Sequence, residues 1–208
     1  MLILWDLNGT ALDDMSVWYH AIRRVFGAFG AHPPTIAEFF SDLQTGHFLQ
    51  VYRKRGITAS EDELNEVYVE AYMERLSDVR LYPHFEPTVL ALADLGHMQG
   101  IVSSQIPALV DPLITGFALD QLPIAHWAYP VPLKDVKFTA LLTETGIAPT
   151  DAIYIGDTPS DAKHANKVGM RAVTYLNGYL PKELFSDSIT DDFIRSLEEV
   201  VELTTTGR

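Results

Sequence analysis

The sequence predicts an α/β protein, with a core of five or so parallel strands, helices on both faces, and an all-helical domain inserted after the first strand. Two observations carry this prediction. Short apolar segments alternate with helix-length segments over most of the chain, a pattern typical of a parallel sheet whose strands are joined by helices. Residues 15–80 interrupt this alternation, because they contain several helical patterns and no convincing strand.

Five segments are predicted to be strands because each is a short apolar run bounded by polar or turn residues. In chain order they are Met1–Asp6, Gln99–Ser103, Ile124–Tyr129 (the weakest), Ala152–Asp157 and Arg171–Tyr175. Helices are predicted at Pro87–Leu95 and Lys134–Thr145, and each is followed by a glycine that is suited to end it. Residues 1–14 and 81–208 are therefore expected to form the core domain.

The inserted domain is expected to cover residues 15–80, with helices near 15–30, 35–43, 47–55 and 60–79. Turn signals separate these helices at Pro33-Pro34, Thr45-Gly46 and Gly56, since proline and glycine interrupt regular structure. Ser60 and Glu63 have the spacing of a capping box, which marks the start of the last and longest helix. The insertion is therefore predicted to be a helical cap domain.

Composition limits the classes of function. The chain has 208 residues, of which 47% are apolar, and its net charge is −13; the length suits one core domain with a modest insertion. The acidic charge disfavours binding to nucleic acid or to an anionic membrane. The chain has no cysteine, which excludes disulfides, cysteine–zinc sites and thiol nucleophiles. Neither a signal peptide nor a membrane span is indicated, so we expect a cytoplasmic protein.

Polar residues stand at the ends of the predicted strands. Asp6, Ser103 and Asp157 each end a strand, Asp161 follows four residues after Asp157, and Lys134 opens the helix before that strand. Ligands of open parallel sheets bind beyond the carboxyl ends of the strands. Carboxylates aimed at one point repel each other unless a cation lies between them, and oxygen-only ligands suit Mg²⁺. Each residue alone is more often a turn, a cap or a surface lysine; their joint occurrence favours a site.

These residues resemble the four motifs of the haloacid dehalogenase superfamily: Asp-Leu-Asn-Gly-Thr at residues 6–10, Ser103, Lys134, and Gly-Asp-Thr-Pro-Ser-Asp at residues 156–161. The order and spacing match along almost the whole chain. The helical insertion and the Leu81–Pro83 segment resemble the phosphoglycolate-phosphatase-like subgroup. The resemblance implies a Rossmann-like core, a cap that closes over the strand ends to exclude water and select the substrate, and a Mg²⁺-dependent phosphatase acting on a small phosphorylated metabolite.

The resemblance also implies roles for the residues that bind the phosphoryl group. Asp6 would be the nucleophile that attacks phosphorus and becomes an aspartyl-phosphate. Thr10 and Ser103, with Ser104 beside it, would bind the transferring group by hydrogen bonds. Positioning and charge neutralisation dominate such phosphoryl transfers.

The remaining implied roles concern charge. Lys134 would neutralise the nucleophile and the phosphate; Lys137 lies one helical turn later, and Lys134 is preferred because it stands at the helix start. Asp6 and Asp157, with the backbone carbonyl of residue 8, would hold Mg²⁺. Asp161 would support that metal site.

Asn8 departs from the family pattern. Phosphatases of the family usually carry Asp at this position, where it protonates the leaving group and then activates water, and an amide cannot do this. Such assistance is typically worth ~10²–10⁴-fold in rate. The chain is therefore expected to be slow, to use an acidic leaving group, or to borrow a base from the cap. The alternatives are a haloacid dehalogenase, a phosphonatase-type hydrolase, or a catalytically weak protein that binds a phosphorylated ligand or a partner.

Overall fold

The computed structural model describes residues 1–43, 48–130, 133–185 and 190–205. Its strands are β1 (Leu2–Trp5), β2 (Leu12–Asp13), β3 (Arg80–Leu81), β4 (Met98–Val102), β5 (His126–Ala128), β6 (Ala152–Gly156), β7 (Arg171–Tyr175) and β8 (Asp192–Ile194). Its α-helices are α1 (Met15–Ala28), α2 (Ile36–Leu43), α3 (Phe48–Arg53), α4 (Glu61–Met73), α5 (Phe85–Asp94), α6 (Pro107–Gly116), α7 (Lys134–Thr145), α8 (Pro159–Lys167) and α9 (Glu199–Thr205).

The main sheet contains six strands in the order β5-β4-β1-β6-β7-β8. Every neighbouring pair is parallel, so the predicted parallel α/β class is confirmed. All four residues of β1 are fully buried, as expected for a central strand covered on both faces. The chain runs outward from β1 on one side and then returns to β6 on the other, which makes the β1–β6 junction a topological switch point, the usual place for a ligand.

Helices pack on both faces of this sheet because successive strand side chains point in opposite directions. Leu4 lies in a buried cluster with Phe138 of α7 and Ala162 of α8. Its neighbour Trp5 instead contacts Phe85 of α5, with ring centroids 5.4 Å apart. Each face of the central strand is therefore covered by helices.

The strand prediction was incomplete at one edge. β8 was not predicted, because its three residues follow a polar segment and form no apolar run. β8 is stabilised by partners distant in sequence: Val173 pairs with Asp192, and the Arg171 guanidinium lies 2.6 Å from the Asp192 carboxylate. The weak strand predicted at Ile124–Tyr129 is shorter than expected, since only His126–Ala128 pair with β4.

The chain divides into two compact units, one made of Met1–Asp13 with Leu81–Arg208 and one made of Asp14–Arg80. The second unit contains α1–α4 around an apolar core in which the rings of Phe26 and Tyr52 stack with centroids 5.1 Å apart. Thr45 and Gly46 lie outside the described residues, as does residue 47, where the third helix was predicted to start.

The last helix of this second unit, α4, starts as predicted and ends early. Glu63 accepts a hydrogen bond from Ser60 N at 2.7 Å, and Ser60 Oγ accepts one from Glu63 N at 3.3 Å, which is a capping box. The helix was expected to continue to residue 79 but ends at Met73. Tyr72 in its last turn donates a buried hydrogen bond of 2.7 Å to Asp14. No helix in the described part of the chain is both long and apolar enough to cross a membrane.

Candidate active site

Three carboxylates meet beyond the carboxyl ends of β1 and β6. Asp6 follows β1, Asp157 follows β6, and Asp161 lies in the first turn of α8. One ligand oxygen from each lies within 4.8 Å of the others, and all three side chains are buried. The parallel pairing of β1 with β6, in which Trp5 lies opposite Ile155, brings Asp6 and Asp157 to the same edge.

Lys134, at the start of α7, connects two of these carboxylates. Its Nζ lies 2.8 Å from Asp6 Oδ1 and 2.7 Å from Asp161 Oδ1, and it donates a third bond of 2.7 Å to the Tyr154 hydroxyl. That hydroxyl donates in turn to Val102 O at 3.2 Å. No ion pair among the described residues involves Lys137, so Lys134 is the lysine that reaches Asp6.

Asp161 is held from two sides. Its Oδ2 accepts hydrogen bonds from Thr158 N at 3.0 Å and from Thr158 Oγ1 at 2.6 Å, while its Oδ1 faces Lys134. A Cβ atom at Gly156 would lie 2.5 Å from Asp161 Cβ, so the strand end has room only for glycine beside it. Asp161 therefore positions the lysine and caps α8 at the same time.

The loop after β1 packs directly against Asp157. Gly9 has a φ of +74°, and a Cβ there would lie 2.2 Å from Asp157 Oδ2. Leu7 O accepts hydrogen bonds from the backbone N–H groups of Ala11 at 3.0 Å and Leu12 at 2.8 Å, which closes the loop tightly. Glycine is needed here both for its positive φ and for the close approach of the backbone to the carboxylate.

Asn177 is a residue of this site that the sequence analysis missed. Its Nδ2 donates to Gly9 O at 2.8 Å and to Asp157 Oδ2 at 3.0 Å. Asn177 follows the carboxyl end of β7, which ends at Tyr175, and so stands at the edge of the sheet where ligands bind. Its position after a strand is the signal that could have identified it, although an Asn-Gly pair is also typical of an ordinary turn.

The predicted phosphate-binding residues differ in their surroundings. Thr10 is fully buried, and its hydroxyl has no hydrogen-bond partner among the described residues. Ser103 is buried at the end of β4, where its Oγ accepts a bond from Gln105 N at 3.1 Å. Ser104 is exposed, and no described hydrogen bond joins it to the other residues of the site. Asn8 is half-buried on the same loop as Thr10.

Burial and the charges of neighbouring groups together set the pKa values of the cluster. It raises the pKa of Asp6 to about 7, against the opposing effect of Lys134. Burial also raises the pKa of Asp157 well above its ordinary range, and the charges of Asp161 and Asp6 add to this effect. The pKa of Asp161 is lowered in spite of its burial, because Lys134 and Thr158 stabilise its anion. The pKa of Lys134 is raised although burial opposes it, because Asp161 and Asp6 stabilise the ammonium.

The donor set fits a divalent metal ion. When all three carboxylates are ionised, the single ammonium of Lys134 leaves two negative charges in excess within a buried site. Hard oxygen donors of this kind are those that Mg²⁺ prefers. A divalent cation would balance the excess charge and favour the ionised forms of the acids.

The chain is similar in sequence to known proteins of one family. The sequence model of the haloacid dehalogenase-like hydrolase family matches residues 3–175. A phosphoglycolate phosphatase from Mannheimia succiniciproducens is 25% identical, with 97% of each chain covered. A phosphoglycolate phosphatase from Haemophilus influenzae is 28% identical, with 94% of this chain and 96% of the relative covered.

Solved structures share the fold. A predicted phosphoglycolate phosphatase from Haemophilus somnus superposes with a TM-score of 0.79 at 21% identity, covering 98% of this chain and 97% of its own. CbbY from Rhodobacter sphaeroides, solved in complex with phosphate, superposes with a TM-score of 0.75 at 17% identity, covering 96% and 95%. The family match over most of the chain, together with the acids and the lysine gathered at the end of the central strand, leads to one conclusion: the chain belongs to the haloacid dehalogenase-like hydrolases.

Proposed function

We propose that the protein is a Mg²⁺-dependent phosphatase that hydrolyses a small phosphate monoester through an aspartyl-phosphate on Asp6. The observation that carries this proposal is the setting of the Asp6 carboxylate. Its Oδ1 accepts hydrogen bonds from Leu7 N at 2.9 Å and lies 2.8 Å from Lys134 Nζ. These bonds hold the carboxylate in one orientation at the end of the central strand, as a nucleophile requires.

The proposed reaction has two displacements at phosphorus. An oxygen of Asp6 attacks the phosphorus of the ester, a bond forms between them, and the bond from phosphorus to the leaving oxygen breaks. The leaving oxygen takes a proton from solvent. Water then attacks the same phosphorus, releasing inorganic phosphate and regenerating the Asp6 carboxylate. The Lys134 ammonium stabilises the negative charge that develops on the transferring group.

The proposed metal ligands are Asp6, Asp157 and the backbone carbonyl of Asn8, with Asp161 in a supporting role. When bound, Mg²⁺ would neutralise the charge shared between the nucleophile and the phosphate. The role of Asp161 is supported by its contacts, since it holds Lys134 by one oxygen and the start of α8 by the other.

Phosphate binding is assigned to Thr10, Ser103 and Ser104. Thr10 offers the strongest support for this assignment, because a fully buried hydroxyl without a partner is costly in a folded protein unless a ligand uses it. Ser103 supports it through its position at the end of β4, the strand next to β1. The relatives named as phosphoglycolate phosphatases favour a small phosphorylated substrate.

Asn8 sets the expected rate. Its amide has no proton to give to a leaving group at neutral pH, so we propose that the enzyme favours esters with acidic leaving groups. Replacement of Asn8 by Asp would supply the missing group, and the gain expected from general acid–base catalysis is ~10²–10⁴-fold. A large gain in turnover would mean that the other residues of the catalytic site are competent.

The test is release of phosphate from a panel of esters with aryl and alkyl leaving groups, in Mg²⁺ and in EDTA. We expect release that depends on Mg²⁺, that favours aryl esters, and that Asp6→Asn abolishes. The Asn8→Asp variant is measured in parallel and should extend turnover to alkyl esters. If neither wild type nor Asn8→Asp releases phosphate from any ester and the protein turns over a 2-haloacid, the protein is a dehalogenase and the proposal is wrong. Phosphate binding without any turnover would replace it with a ligand-binding protein.

A further inference from the structure

Asn177 lies outside the motif residues, yet it contacts two parts of the proposed metal site. Its backbone follows β7, where Leu176 N donates to Ile194 O at 2.9 Å. Its side chain reaches across the sheet edge to the loop after β1 and to the residue after β6. A single amide therefore joins the carboxyl ends of three strands, between residues 168 positions apart in the sequence.

The orientation of the amide is defined by its partners. Asn177 Oδ1 accepts a hydrogen bond of 3.0 Å from Tyr179 N, so the NH₂ group faces the two oxygens on the other side. Of those oxygens, Gly9 O is an acceptor only, and so is Asp157 Oδ2 when Asp157 is ionised, as it would be with a metal bound. An NH₂ group with two donors is the complement of this pair, and a carboxylate in its place would repel both.

The hydrogen bond from Asn177 to Gly9 O also affects the Asp157 carboxylate. Because Gly9 has no side chain, its backbone lies against Asp157, where a Cβ would be 2.2 Å from Oδ2. Gly9 O and Asp157 Oδ2 lie 2.8 Å and 3.0 Å from the same nitrogen, so without this donor two acceptors would face each other with no donor to share. The Asn177 amide supplies that donor and holds both groups in place.

We propose that Asn177 is a positioning residue for the divalent metal: it holds the Asp157 carboxylate by one oxygen and fixes the β1 loop beside it. This inference rests on the proposed function, because it assumes that Asp157 is a metal ligand. Partners that orient a ligating carboxylate are typically worth 10–100-fold in metal affinity. Asn177 touches neither Asp6 nor Lys134 through any hydrogen bond that the structure describes, so its effect should be on the metal rather than on the nucleophile.

The test is the affinity for Mn²⁺, a paramagnetic substitute for Mg²⁺, measured by electron paramagnetic resonance and calorimetry without substrate. Asn177→Ala removes the donors, and Asn177→Leu removes them while keeping a similar volume, so that one variant remains informative if the other does not fold. We expect the dissociation constant for Mn²⁺ to rise roughly 10–100-fold in both. Tyr179→Phe is the matched control on the same loop: it loses the hydroxyl that donates to Asp13 at 2.7 Å, keeps the backbone bond to Asn177, and should bind Mn²⁺ like wild type.

Two further measurements separate the possible failures. Asp157→Asn tests the underlying site: if wild type and Asp157→Asn bind Mn²⁺ equally weakly, the proposed metal site is refuted. If Asp157→Asn loses Mn²⁺ while both Asn177 variants keep the wild-type affinity, only the role of Asn177 is refuted. A loss of thermal stability in EDTA with unchanged Mn²⁺ affinity would mean that Asn177 serves the fold alone, which also overturns the inference.

Discussion

Replacing Thr10 by valine should stabilise the protein and weaken phosphate binding at the same time. Thr10 is 0% exposed, and its Oγ1 has no partner among the described residues. Valine has nearly the same shape and places a methyl group where the hydroxyl was. A buried hydroxyl without a partner costs stability, and a hydrogen bond to a phosphoryl oxygen at this strand end would offset that cost.

The magnitude follows from the burial of the hydroxyl. A buried hydroxyl without a hydrogen bond costs about 1–3 kcal/mol, so the free energy of unfolding of Thr10→Val should exceed that of wild type by this amount. For a chain of this size, each kcal/mol corresponds to roughly 2–4 °C in the melting temperature. A hydrogen bond to a charged group is worth about 1.5–3 kcal/mol, so the dissociation constant for inorganic phosphate should rise roughly 10–150-fold.

The assay combines urea unfolding without ligand and calorimetric titration of phosphate in the presence of Mg²⁺. Thr88→Val is the matched control, because the Thr88 hydroxyl on α5 is also buried without a described partner and belongs to no strand end. Both variants should be more stable than wild type, and only Thr10→Val should bind phosphate more weakly. Unchanged phosphate affinity in Thr10→Val would refute the assigned role, and a loss of stability would refute the reasoning about its hydroxyl.

Three further predictions concern stability. Gly9→Ala should unfold more easily than Gly146→Ala, because both glycines have φ near +70° but only a Cβ at Gly9 meets a neighbour, Asp157 Oδ2 at 2.2 Å. Urea unfolding of the two variants separates the clash from the backbone strain, and equal losses of unfolding free energy would mean that the carboxylate moves aside freely. In EDTA, folding raises the pKa of Asp157 above its ordinary 3.8, so the folded state binds the proton more tightly and stability falls as pH rises above 3.8. Asp157→Asn should therefore be more stable than wild type at pH 7 in EDTA and should not be stabilised by Mg²⁺; a variant that Mg²⁺ still stabilises would contradict the role of Asp157 as a metal ligand. The pKa of Asp135 is lowered in spite of its burial, because Lys167 and His164 stabilise its anion; this stabilisation is present above pH 3.8 and is lost as pH falls through the lower folded pKa. The difference in stability between wild type and Asp135→Asn should therefore shrink in acid, and a difference independent of pH would refute the ion pairs.

Much of the fold could be predicted because the strands are recognisable locally. β1 and β6 are short apolar runs, buried on both faces, and such runs between amphipathic helices indicate a parallel sheet. β8 could not be predicted this way, because Asp192–Ile194 has no apolar run and is stabilised by pairing with β7. The end of α4 at Met73 was likewise misplaced, since no glycine or proline near that position marks the stop.

The candidate site could likewise be predicted only in part from the sequence. The sequence by itself determined that Asp6 and Asp157 share one edge, because the carboxyl ends of parallel strands always do. Only the tertiary structure decided that Lys134 reaches Asp6, that the Thr10 hydroxyl is buried without a described partner, and that Asn177 binds Gly9 and Asp157. Residue type and strand position can be read along the chain, whereas a hydrogen bond between residues far apart in the sequence depends on the distances and angles that packing sets.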